Sequence, residues 1–356
     1  MIDPPFSPPW WLKNGLAMTL YTATQASREW ESTIKDPEPF YQETIFTGAH
    51  DVPIFGWVAI PDNPRATIVG TYGITGSLDN QWFLRLLGRK AFAQGYAVVL
   101  FDWRAHGKTA ELSPTLTSDG LYEGEDFVCI AAQAKAIGCP TPFWFTGFSL
   151  GGQLALWAVK AAGGQVRETA GLSSLSRDDI GGAAVICPNL DSNRSLSYLV
   201  QHPVGKYLEG AIARGLKQLA WRLHEAHPGA IDPAAIERAN SISGFDRELV
   251  IDRLGFSSVE AYYEASSALP LLPHLDKPTL IIYAADDPLF DPTLVPQLQQ
   301  RCDRNPKIDL FLTRYGGHVG YISSKTNQRQ LGDSDPWWAW NRILEWIDRQ
   351  VGNCKF

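Results

Sequence analysis

Residues 143–162 read FWFTGFSLGGQLALWAVKAA. The first six carry the near-continuous hydrophobicity of a strand buried on both faces. From Gly151 to Ala162, apolar residues recur at helical spacing. At the junction stands Gly147-Phe148-Ser149-Leu150-Gly151, the pattern G-x-S-x-G. A plain strand-to-helix turn needs at most one glycine. A serine held on a strained turn, its hydroxyl lifted clear of the sheet, needs neighbours on both sides that carry no side chain. The stretch therefore predicts strand, turn and helix, with Ser149 as a candidate nucleophile rather than a turn residue.

A serine hydroxyl is a weak nucleophile until a base takes its proton and a third group orients that base. In sheets of this kind the chain order is serine, acid, histidine. Of the seven histidines, His202, His224, His227, His274 and His318 follow Ser149. His318 lies just past the last strand-like run, in YGGHVGY, where Gly316, Gly317 and Gly320 let the backbone bend. A loop at a strand's carboxyl end reaches the crevice there. His274 precedes the strand that should carry the acid, and His224 and His227 read as a solvated helix face, two ligands being too few for a metal site. The acid should end TLIIYAADDPLFDP (279–292), where Asp286 and Asp287 both stand; Asp287, followed by proline at the start of the turn, is preferred. The oxyanion of a tetrahedral intermediate would take the backbone N–H of Leu150, at a helix N-terminus, and that of Ile74, in the loop TYGITGS (71–77).

Around this centre, strand-like runs at 53–60, 66–73, 96–103, 183–188, 279–286 and 308–315 alternate with helical text at 79–92, 124–137 and 335–347. That alternation predicts an α/β class: a mostly parallel sheet with helices on both faces. Residues 1–40, rich in Pro and Trp, read as an arm laid over the domain without a periodic element. Residues 190–270 break the alternation and read as an inserted helical cap, leaving 41–189 and 271–356 as the core. The apolar stripe Leu208, Ile212, Leu216, Leu219 and Leu223 is expected to pack on the domain rather than face a substrate. In FDWRAHGKT (101–109), Asp102 and Arg104 are expected to pair and hold a turn. Cys187 reads as a buried thiol, and Trp82, near the oxyanion loop, as the tryptophan expected at a pocket.

Composition narrows the partners. The 356-residue chain is 45% hydrophobic and 19% charged, with a net charge of -7. An acidic surface disfavours nucleic acid and charge-driven docking on anionic lipid. Five scattered cysteines, without a C-x-x-C pair, suit a reducing compartment. No signal peptide and no apolar stretch near the ~20 residues of a membrane helix can be read. The expectation is a cytoplasmic protein acting on a small-molecule substrate, with no cofactor and no metal.

Several motifs carry a resemblance. PFSPPWWLKNGLAMT (5–19) is similar to the opening P-x-x-x-N-x-H-L-Q-T of the YheT-like branch of α/β hydrolases. YGITGS, GFSLGGQ, FDRELVIDRLGFSSVEAYYEASS (245–267), AADDPLF and GGHVGYI resemble its HGLEGS loop, nucleophile turn, cap-to-core segment, acid loop and histidine loop. The likeness runs from about Pro5 to Ile347. It implies an α/β-hydrolase fold with a helical cap, with nucleophile, acid and base at Ser149, Asp287 and His318. It also implies a carboxylesterase or lipid-acting hydrolase, some members being acyltransferases that esterify alcohols; the substrate would be a small ester or a lipid. Leu16-Ala17-Met18 replaces the branch's His-Leu-Gln, Tyr72 its oxyanion-loop His, and Thr75 its Glu.

Overall fold

The computed structural model describes residues 5–163 and 175–353; the first four residues of the expected arm and one of the five cysteines, Cys354, lie outside the described residues. Eight strands form one sheet: β1 (Gln42–Thr47), β2 (Pro53–Ala59), β3 (Thr67–Thr71), β4 (Ala97–Phe101), β5 (Phe143–Phe148), β6 (Ile180–Ile186), β7 (Thr279–Ala284) and β8 (Ile308–Thr313). Their spatial order is β1-β2-β4-β3-β5-β6-β7-β8. β2 runs antiparallel to both neighbours, and every pair from β4 to β8 is parallel. β3, β4, β5 and β7 are buried along their whole length, which is why they read as unbroken apolar runs.

Helices cover the sheet. Trp82–Ala93 packs on β3 and β4, Leu150–Gly163 on β5 and β6, and Trp338–Asn353 on β6 and β7. The last begins at Trp338, two residues later than Asp335 as a cap and Pro336 at the first helical position would suggest. Asp335 still works as a capping group, its Oδ1 accepting the Trp337 N–H at 3.0 Å and the Asn341 side chain at 3.2 Å. Its carboxylate also holds Lys90, buried on the helix Trp82–Ala93.

Two elements differ from the sequence expectation. The arm is helical: Gly15–Tyr21 and Ser27–Thr33 are joined by a π turn at Thr22–Ala26, and Asn14 caps the start by accepting the Ala17 N–H at 3.0 Å. Its buried face is Met18, Thr22, Ala26 and Trp30, every fourth residue, a stripe so mixed in chemistry that hydropathy does not show it. β1 is an edge strand with only Phe46 buried, so it has no apolar run to read.

Between β6 and β7 lie helices that include Ser192–Leu199, Pro203–Ala226 and Val259–Ser266. They build a hydrophobic cluster of their own, with Leu216, Leu219, Leu223, Ile236, Phe245 and Tyr262, which Ala105, Ala110 and Leu116 join from the segment after β4. Among the described residues no helix is long and apolar enough to cross a membrane.

Candidate active site

Ser149 sits between the end of β5 and the helix Leu150–Gly163, with φ at 56°, in the left-handed region that a non-glycine residue occupies only when its surroundings compel it. Its N–H is tied to the Ile186 carbonyl at 3.0 Å. The flanking glycines are required by contact. A β-carbon on Gly147 would lie 2.2 Å from the Gly151 carbonyl oxygen, and one on Gly151 would lie 2.4 Å from that of Tyr72.

Three loops at the carboxyl ends of β5, β7 and β8 converge here. The Ser149 hydroxyl donates to His318 Nε2 at 2.8 Å, and His318 Nδ1–H donates to Asp287 Oδ2 at 2.8 Å. Asp287 is buried, and its other oxygen accepts the Leu289 N–H at 2.9 Å. Phe290 stands edge-on to the imidazole, 5.1 Å between ring centres, and limits its tilt. Asp286 takes a different place: its Oδ1 accepts the Gly317 N–H at 2.9 Å, so it fastens the histidine loop instead of touching the ring.

The N-terminal helix reaches the same loop. Thr19 Oγ1 accepts the His318 N–H at 2.8 Å and donates to the Gly15 carbonyl at 2.8 Å. Sequence reading attached no role to this threonine, although it closes the opening motif; its partner lies 299 residues away. Thr19 is thus a positioning residue for the imidazole. Thr19→Val is expected to lower kcat about tenfold, the worth of one such hydrogen bond, with KM little changed. Thr19→Ser, which keeps the hydroxyl, should retain full rate; ester hydrolysis by both variants checks this, since a purely steric role would make serine the poorer replacement.

Leu150 opens its helix, where an N–H has no acceptor within the helix. Leu150 and Ile74 line the same cavity as Ser149. The loop that carries Ile74 is held from β4 outward. His106 Nε2 accepts the Thr75 N–H at 3.1 Å while its Nδ1–H donates to the Arg104 carbonyl at 2.8 Å, which makes this imidazole the neutral Nδ1–H tautomer. Burial lowers its pKa to about 3, and its ring stacks on Trp103 with 3.6 Å between centres. Asp102 accepts the Tyr72 hydroxyl at 2.5 Å and the N–H groups of Leu78 and Lys108 at 2.8 Å. Burial pushes its carboxyl up to about 6 against the pull of those donors. The expected Asp102–Arg104 pair does not form. Arg104 makes a two-pronged contact with Asp126, 2.7 and 2.8 Å, because Asp126 offers both oxygens while those of Asp102 are taken.

The cavity over Ser149 has a volume of about 100 Å³ and opens to solvent. Its walls are mostly apolar: Ile74, Trp103, Leu196, Phe245 and Phe290 among others. The helix stripe expected only to pack also faces it, through Ile212, Leu216 and Leu219. Trp82 is not on the cavity wall; it packs on Trp30, Phe83 and Trp337. Cys187 is buried beside the Tyr321 hydroxyl, 3.4 Å away, its thiol pKa raised by burial and then by Asp287. His224 and His227 bond to backbone carbonyls of Ile231 and Ala110, and no metal-binding cluster of His, Cys, Asp and Glu occurs among the described residues.

Comparison with known proteins agrees with this fold. Residues 73–326 match the profile of the Alpha/beta hydrolase family. A Synechocystis protein, slr0264, named as a candidate esterase, is 57% identical over 98% of this chain and 95% of its own length. YheT of Escherichia coli K12, also named as a candidate esterase, is 27% identical over 80% of this chain and 76% of its own. Among solved structures, the Pyrococcus furiosus esterase Pf2001 superposes with a TM-score of 0.54 over 99% of this chain and 98% of that one, at 18% identity, a likeness of fold alone. The chain belongs to the alpha/beta hydrolase family.

Proposed function

We propose that the protein hydrolyses carboxylic esters through an acyl-enzyme, with Ser149 as nucleophile, His318 as base and Asp287 as the acid that orients it. The observation that carries this reading is the unbroken chain of two 2.8 Å contacts from the serine hydroxyl through the imidazole to a buried carboxylate, open to an apolar cavity. Ser149 Oγ attacks the ester carbonyl carbon as its proton passes to His318 Nε2. The N–H groups of Ile74 and Leu150 hold the resulting oxyanion, each contributing about 3 kcal/mol to the transition state. Asp287 keeps Nδ1 protonated and stabilises the imidazolium. The intermediate collapses, the alcohol leaves with the proton from His318, and water repeats the sequence on the acyl-serine.

The reading includes the division of the chain: an arm over 1–40, a core over 41–189 and 271–356, and a cap over 190–270 whose own hydrophobic cluster roofs the cavity. An apolar cavity under such a roof suits an aliphatic acyl chain or a lipid. The test is covalent labelling by a fluorophosphonate. The parent protein should label at Ser149 and release an activated acyl ester's leaving group in a burst; Ser149→Ala should do neither, and labelling of that variant at the parent's rate would refute the assignment.

A further inference from the structure

The cavity that holds Ser149 also contains an acid pair that the reaction does not use. Asp119 and Asp246 both line it and are 8% and 5% exposed. Thr117 donates to Asp119 Oδ1 at 3.1 Å and the Tyr263 hydroxyl donates to Asp246 Oδ2 at 2.5 Å. Tyr262 adjoins Asp119. Among the described residues neither carboxyl has an ion-pair partner. The strongest charge acting on Asp119 is a third acid, Glu123, and that on Asp246 is Asp119 itself. Of the cations that act on neighbouring groups, Arg104 is bound to Asp126, Arg247 acts on Tyr263 and Arg222 on His106.

Buried carboxylates are ordinarily paired with a cation, because leaving charge uncompensated in an apolar surround is costly. A second observation points the same way from another element. Ser195, on the helix Ser192–Leu199, lines the same cavity at 4% exposure, and its hydroxyl has no hydrogen-bond partner. Two carboxyls, each with only neutral donors on it, and a free hydroxyl thus line one space with no ion-pair partner among the described residues. An anion would be repelled, and an alcohol would bring one donor and no charge. A protonated primary amine brings three N–H donors and the missing charge.

We propose that this part of the cavity binds a primary ammonium group borne on an aliphatic chain, so that the preferred ester carries an amine. The site does not depend on turnover; its link to the substrate rests on the esterase reading given above. A cation here also explains how the acids are tolerated. Burial and then Glu123 push Asp119 up to about 7, and burial and then Asp119 hold Asp246 well above the usual carboxylate range, so without a ligand the pair keeps protons that an ammonium would displace.

The experiment is calorimetric titration of the whole protein with hexylammonium and with hexan-1-ol, the neutral probe of the same length. At pH 8 hexylammonium is expected to bind at least tenfold more tightly than hexanol, with proton release seen as a heat that depends on the buffer. Asp246→Asn and Asp119→Asn should each collapse that ratio. Hexanol binding as tightly as hexylammonium to the parent, or Asn variants that keep the ratio, would overturn the proposal.

The titratable and charged groups around the pair are Glu123, Tyr262 and Tyr263, with Arg247 acting on Tyr263 and with His106, which stays neutral beside Arg222, on the same cavity wall, so the Asn variants at pH 8 rather than a pH scan decide the question. Both variants should fold. In the unfolded chain the Asp119 carboxyl ionises near 3.8, whereas the folded one keeps its proton to about 7. The native state therefore binds more protons in that window, stability falls as pH rises through it, and removing the acid should raise Tm at pH 8. A variant that nevertheless failed to fold would leave the parent's ratio as the deciding number. Because binding is read without turnover, a failed esterase reading would appear in the Ser149 labelling and not here.

Discussion

Asp287→Asn is expected to lower kcat about 10⁴-fold with KM little altered, whereas Asp286→Asn at the neighbouring position should cost far less. The difference follows from what each carboxylate accepts. Asp287 Oδ2 takes the proton-bearing Nδ1 of His318, which leaves Nε2 free to accept from Ser149. An asparagine there presents an N–H to Nδ1 and favours the opposite tautomer, in which Nε2 carries the proton and cannot act as base. The charge that would stabilise the imidazolium is lost as well. Asp286 accepts from backbone N–H groups, that of Gly317 foremost, and an asparagine carbonyl can still do so. Steady-state hydrolysis of an activated ester by the two variants decides between them. Comparable losses at both positions would mean that the adjacent acids share the work, contrary to the assignment.

His106→Phe is expected to reduce kcat by about 10²–10³, the size of effect seen when one oxyanion donor is lost. Phenylalanine keeps the stack on Trp103 but cannot accept the Thr75 N–H, so the loop that carries Ile74 loses the bond that fixes its reach over Ser149. His106→Gln, whose side-chain oxygen can occupy the place of Nε2, should recover a good part of the rate. With its pKa lowered to about 3, His106 stays the neutral imidazole throughout the working range, so the loss should be uniform from pH 5 to 9. A rate–pH profile of the Phe variant checks this: a loss confined to one limb would mean that His106 exchanges protons during turnover.

What could be read in the sequence, and what could not, divides along a physical line. β3, β4, β5 and β7 are buried on both faces and announce themselves as apolar runs. β1 is an exposed edge, and the N-terminal helix buries a face of Met, Thr, Ala and Trp, so neither leaves a hydropathic trace. At the site, Ser149, Asp287 and His318 stand at strand ends in a fixed order, among glycines that their turns demand. Asp102, His106 and Thr19 act on backbone N–H and hydroxyl groups, which impose no pattern on neighbouring letters. The same reason hid the partner of Arg104: Asp126 lies on the helix Glu123–Ala136, and only the folded chain brings it nearer than Asp102. Asp119 and Asp246, 127 positions apart by their numbers, meet only through the packing of the insert on the core.

The bond between Thr19 and His318 also couples the arm to the histidine loop across 299 positions of chain. Ser324 and Asn327 tie the segment after the histidine loop back to Ser7 in the same way. The imidazole at 318 is therefore held in place only once the arm has docked, so the folding of the arm, and not of the sheet alone, sets when the site is complete.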